Sequence, residues 1–165
     1  MKKAVSMMIG AAGLSMALAA CGGAEEAAET SEETAEAEEV VAPEEFIVDR
    51  TGQLAQELGD TMMEAINVRL AAYFAETGNN VQILIVDTTE GEDMGTVATA
   101  AMAEAGSDAM IYIAAGDQEI GVVGEGIDAD EGEQIANNMA DAFDNENFEG
   151  GFMDGIEATA TAMAS

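Results

Sequence analysis

Acidic residues stand at the ends of the apolar runs in this chain, and oxygen ligation of a hard cation is the chemistry they suggest first. Asp108 precedes the run Ala109-Met110-Ile111-Tyr112-Ile113, and a second run ends in Gly124-Glu125-Gly126-Ile127-Asp128, with Asp130 and Glu131 just beyond. Calcium takes roughly six to eight oxygens from carboxylates, carbonyls and water. Asp108 and Asp128 are therefore candidate calcium ligands, to which Asp130 and Glu131 add further oxygens. The spacing is not that of an EF-hand, because the place of the closing bidentate glutamate, counted from Asp128, holds Met139. A competing reading assigns these carboxylates to a helix start: Asp130 followed three residues later by Glu133 resembles an N-terminal cap, and acids there suit the helix dipole. A second candidate pair is Asp49 and Asp87, the latter followed by Thr88.

Other chemistries are removed by residue type. The chain has no histidine and one cysteine, Cys21, so Ser-His-Asp and Cys-His catalysis and histidine-based zinc sites are excluded. Gly124-Glu125-Gly126 lacks the rest of a nucleotide-binding fingerprint, and Glu125 would repel phosphate; a strand leaving through flexible backbone is the simpler account. The formal charge is −30, and since Lys2 and Lys3 lie in the N-terminal leader, only Arg50 and Arg69 oppose 34 carboxylates beyond it. Nucleic acid is excluded as a partner, because its binding draws on many Lys and Arg contacts to phosphate. The same charge favours cations and also fits an adaptation to salt. The twelve methionines, several at helical core positions, read as adaptable packing rather than a copper site.

The elements that must position these residues are legible from periodicity. Leu54, Leu58, Met62, Ile66, Leu70 and Phe74 predict a long amphipathic helix closed by Gly78-Asn79-Asn80. Residues 81–87 form a short, almost continuously apolar run that suits a strand covered on both faces. A helix over 93–105, a buried strand over 109–115 and a returning strand over 119–124 follow, with a turn at Gly116-Asp117-Gln118 between the strands. Two helices carry Ile135, Met139 and Phe143, then Phe152, Ile156 and Met163. The predicted order is helix, strand, helix, strand, strand, helix, helix, with a right-handed crossover. The fold class is α/β, a three-layer α/β/α sandwich with a small mixed β-sheet. In that arrangement Asp108 and Asp128 meet at one end of the sheet. Asp49 and Asp87 meet at the other, through an antiparallel helix-strand pair.

The first 45 residues have a different character. Met1-Lys2-Lys3, an apolar stretch over 4–20 and the ending Leu18-Ala19-Ala20-Cys21 read as a secretion signal, and the ending resembles the lipobox of bacterial lipoproteins. Residues 1–20 are thus expected to be a signal peptide and Cys21 to carry lipid, which would give the protein a membrane partner without a spanning helix. Localisation to the cell envelope follows, facing periplasm or exterior. Gly22 after Cys21, rather than aspartate, favours the outer membrane if the cell has one. Residues 22–45 hold ten glutamates and no aromatic residue, so they read as a self-repelling tether, and 46–165 as one domain.

Within that domain several motifs occur in a familiar order. Phe46-Ile47-Val48-Asp49-Arg50-Thr51-Gly52 opens it, and Glu76-Thr77-Gly78-Asn79-Asn80-Val81 leads into the first apolar run. Ser107-Asp108-Ala109, Gly124-Glu125-Gly126-Ile127-Asp128 and Asn147-Phe148-Glu149-Gly150-Gly151 follow. Together they resemble the TPM domain, a family of bacterial envelope proteins and of a thylakoid protein linked to photosystem II repair. Of the family's Asp-Asn-Gly triplet only Asp108 survives, and aspartate replaces glutamate in its Gly-x-Gly-Leu-Glu motif.

The resemblance implies a divalent-cation-binding module, with calcium at acidic loops matching Asp108 and Asp128, that acts in envelope maintenance or through an envelope protein partner. Some members are described as acid phosphatases, so a metal-dependent phosphatase is the alternative, and a non-catalytic acidic interaction module adapted to salt is a third. Phosphoryl transfer needs cations on the developing charge, and only Arg50 and Arg69 are at hand, so bound metal would have to supply it. Members often end in a membrane helix or a glycine-rich tail. This sequence stops at Ser165 with neither, and the lipid on Cys21 is expected to serve instead.

Overall fold

The computed structural model describes residues 42–43 and 45–165. The expected signal peptide, Cys21, the acidic segment up to residue 41 and Glu44 lie outside the described residues. In chain order the elements are β1 (Ile47–Asp49), α1 (Gln53–Thr77), β2 (Val81–Val86), α2 (Met94–Ala105), β3 (Ala109–Ala114), β4 (Glu119–Gly124), α3 (Ala129–Asp144) and α4 (Phe148–Met163). The sheet runs β1-β2-β3-β4, with β1, β2 and β3 parallel and β4 antiparallel to β3.

Side chains alternate across a strand with period two, so each strand feeds two cores. Ile83, Ile85, Ile111, Ile113 and Val122 point to the face covered by α1, α3 and α4, where they meet Ile66, Leu70, Ile135, Met139, Phe152 and Ile156. Leu84, Met110 and Tyr112 point to the other face, where Ala98 of α2 is fully buried. Every residue of β3 is buried, as its unbroken apolar run predicts for a strand covered on both sides. Each large apolar side chain buried this way contributes about 1.5–3 kcal/mol relative to exposure. The three layers of the α/β fold are as expected. Among the described residues no helix is long and apolar enough to cross a membrane.

Three expectations need correction. First, a strand precedes the first helix: β1 pairs with β2 through Ile47↔Ile83 and Asp49↔Ile85. Three residues are too few to display a period, and only the backbone bonds to β2, such as Ile83 N–H to Phe46 O at 2.8 Å, make them a strand.

Second, α1 is broken at Gly59, whose backbone (φ 74°, ψ 161°) lies in a region essentially reserved for glycine. Apolar residues at strict four-residue spacing drift about 40° per step around a straight helix. One face therefore cannot hold Leu54 through Phe74. Ile66 and Leu70 are buried, whereas Leu54 and Leu58 are only partly so.

Third, α3 is capped by Asp128 and not by Asp130. Asp128 has extended backbone, and its Oδ1 accepts the Glu131 N–H at 2.8 Å. Asp130 and Glu131 fall in the first turn, where the helix dipole favours acids.

Candidate functional site

Both predicted clusters sit at sheet edges, one at each end. At the N-terminal edge, the register Val81↔Ala109 sets the residues preceding β2 and β3 side by side, and Ala109↔Gly124 brings in the end of β4. Asn80 and Asp108 clasp each other there. The Asp108 and Ala109 N–H groups donate to Asn80 O at 2.8 and 3.2 Å, and the Asn80 N–H donates to Asp108 Oδ2 at 2.7 Å. Glu125 N–H, arriving from β4, donates to Asp108 O at 2.8 Å. Gly124-Glu125-Gly126 is thus a strand exit, consistent with its simpler reading.

The Asn80 amide is the unusual group at this edge. Its Nδ2 donates to Gly106 O at 3.4 Å, which orients the amide, and its Oδ1 is buried without a hydrogen-bond partner. A buried acceptor left unpaired costs on the order of 1–3 kcal/mol, so such an atom calls for a partner. Asp128, Asp130 and Glu131 share this end of the sheet, yet Asp128 is engaged in capping α3. Among the described residues no three Asp, Glu, Cys or His side chains gather as a metal-holding group. A cation at Asn80 and Asp108 would fill its shell from carbonyls and water as well. Sequence reading passes over Asn80, since it looks like part of the glycine-asparagine stop after α1.

At the C-terminal edge, Asp49 ends β1, Asp87 follows β2, and Asp117 lies in the turn after β3. Asp49 starts α1: its Oδ1 accepts Thr51 N–H at 2.8 Å, Thr51 Oγ1–H at 2.6 Å and Gly52 N–H at 3.0 Å, and its Oδ2 accepts Leu54 N–H at 3.0 Å. The expected proximity of Asp49 and Asp87 has a different origin from the one predicted. Their strands are neighbours, and Asp49 stands level with Ile85. Asp87 is exposed, and its carbonyl accepts Gly116 N–H at 2.6 Å.

Asp117, read from sequence only as a turn residue, ties two loops together. Its Oδ2 accepts Thr89 N–H at 2.7 Å, Thr88 Oγ1–H at 2.8 Å and Thr89 Oγ1–H at 3.2 Å. The Thr89 backbone bond, and then the Thr88 hydroxyl bond, hold its carboxyl below the ordinary aspartate value. Of the two arginines, Arg50 directly follows β1 and its N–H donates to Ile85 O at 2.9 Å, while Arg69 is exposed on α1.

Comparison with known proteins adds the family and the fold. The family model described as the TPM domain matches residues 47–162. The N-terminal domain of the cg2496 protein from Corynebacterium glutamicum is similar with a TM-score of 0.58 and 17% identity, covering 74% of this chain and 84% of that one. The N-terminal domain of a protein from P. gingivalis gives 0.59 and 14%, covering 72% and 82%. The BA42 protein from the psychrophilic Bizionia argentinensis gives 0.50 and 21%, covering 73% and 83%. At these identities the three structures speak for the fold alone. No curated protein matches the chain.

Proposed function

The chain belongs to the TPM domain family, and on that premise we propose that it is a calcium-binding module, lipid-anchored in the cell envelope through Cys21, which acts in envelope maintenance or through a protein partner. The observation that carries the cation reading is the buried, unpartnered Asn80 Oδ1, on the residue before β2 whose N–H binds the Asp108 carboxylate. Amide and carboxylate oxygens are the donors a hard cation takes, and the formal charge of −30 raises the local cation concentration. Asp108 would supply the charged oxygen and Asn80 the neutral one, with Asp128 and Glu131 at the same end of the sheet strengthening the field. The anchor reading is supported by the leader and by Leu18-Ala19-Ala20-Cys21.

A thermal melt with calcium tests the site. A ligand bound only by the folded state at about 100 times its dissociation constant adds roughly 2.7 kcal/mol, which in a domain of this size raises the midpoint on the order of 10 °C. Asp108→Asn keeps an acceptor for the Asn80 N–H but removes the charge, and is expected to abolish most of that increment. If calcium raises the midpoint no further than sodium chloride at matched ionic strength, this site does not exist.

A further inference from the structure

The C-terminal edge of the sheet opens into a cavity of about 310 Å³ that the cation reading leaves unused. Its wall is aromatic and aliphatic. Phe143, Phe148 and Phe152 meet there, with ring centroids 5.4 Å apart for the first pair and 5.0 Å for Phe143 and Phe152, and Ile113 and Ile120 close the sheet side. Phe143 and Phe148 are only partly buried, so the cage is open to solvent. Glu119 and Asp144 line the same cavity and are exposed.

The cavity does not stop at the hairpin. A neighbouring depression shares Gln118, Glu119, Ile120 and Ala140 with it and continues to Glu92 and Asp93 on the approach to α2. The result is a trough with an apolar well at one end and carboxylates along its course. Beyond the sheet's parallel C-terminal ends is also where open α/β folds receive ligands.

We propose that this trough binds a basic segment of a partner protein. One apolar side chain of that segment sits against Phe143, Phe148 and Phe152, and flanking lysines or arginines pair with Glu119 and Asp144. Charge selects this occupant over the others. A second copy of the chain, or its own glutamate-rich segment over 22–45, would bring like charge to an acidic rim. A cationic segment is attracted at long range by the whole molecule and can also place its cations over the phenylalanine rings. A solvent-open aromatic well surrounded by a polar rim has the anatomy that an interaction hot spot takes once a partner covers it. The proposal rests on reading the domain as an interaction module and is independent of cation binding, since Asn80 and Asp108 lie at the opposite end of the sheet.

The test is fluorescence anisotropy of a labelled peptide of about nine residues, a phenylalanine flanked by lysines, titrated with the protein in EDTA and again in calcium. Binding in both buffers is expected, weakened at least tenfold when serine replaces the phenylalanine of the probe. The double variant Glu119→Lys, Asp144→Lys should weaken it by a similar factor; should that variant lose its fold by circular dichroism, Glu119→Gln with Asp144→Asn serves in its place and should weaken binding several-fold. Equal affinity for the phenylalanine and serine probes would mean that only diffuse charge is felt, and would overturn the proposal. So would unchanged affinity in the folded charge variants, or self-association of the protein on this face in sedimentation.

Discussion

Asp117 turns a hairpin loop into a fixed part of the structure, because one carboxylate satisfies the Thr89 N–H and two hydroxyls from the loop after β2. Its acid form accepts these bonds poorly, and this sets a sign. A carboxyl held below its unfolded value contributes stability above the unfolded pKa of about 3.9, and that contribution is lost as pH falls through the lowered folded value. Asp117→Asn is therefore expected to lower the melting midpoint at neutral pH and to converge with the parent protein in strong acid. Melts across the acid range check this, and a constant gap between the two proteins would refute it. The sequence shows Asp117 as a turn former because aspartate beside glycine has that local meaning. Its partners Thr89 and Thr88 lie 28 and 29 residues away, beyond the reach of local pattern. Asn80 was equally hidden: after Gly78-Asn79 it looks like the close of α1, whereas its backbone bonds run to Asp108 and Ala109, 28 and 29 residues away, and its Oδ1 is left buried and unpaired.

At the scale of elements, close approach rather than periodicity decides the layout at α3. A Cβ built on Gly132 would lie 2.3 Å from the carbonyl oxygen of Val122, a backbone atom of β4 that has no flexible end to give way. Gly132→Ala is expected to destabilise the domain by roughly 1–3 kcal/mol, the usual range for overpacking, despite the better helix propensity of alanine. Chemical denaturation measures the difference, and an unchanged midpoint would show that α3 is free to shift. The longer elements were legible because their apolar spacing is set by what they bury: β2, β3, β4 and α2 lie within a residue or so of expectation. β1 was not, since three residues carry no period. The break at Gly59 was not either, because a glycine inside an apolar stripe is tolerated as often as it kinks.

For the whole molecule, net charge acts beyond any single contact. A chain of formal charge −30 repels itself and its own kind, and repels anionic lipid. Holding it at a membrane would then call for a covalent anchor, and the lipid we propose on Cys21 would supply about 0.8 kcal/mol per buried methylene. Cys21→Ser is expected to move the protein from the membrane fraction to the soluble fraction, measured by fractionation of cells expressing each form. Equal membrane retention would remove lipidation from the account.

Residue type and short-range spacing were enough to settle the α/β fold class, the family, the main strands and helices, and, with no histidine in the chain, the exclusion of Ser-His-Asp and Cys-His catalysis. Tertiary structure alone decided that β1 joins the sheet, that Asp49 and Asp128 are occupied in starting helices, and that Asn80 stands beside Asp108 with an oxygen left over. It also decided that three phenylalanines and two carboxylates share one well. Those juxtapositions depend on strand register and on which helix lies over which face, and both are set by burial summed over the whole core.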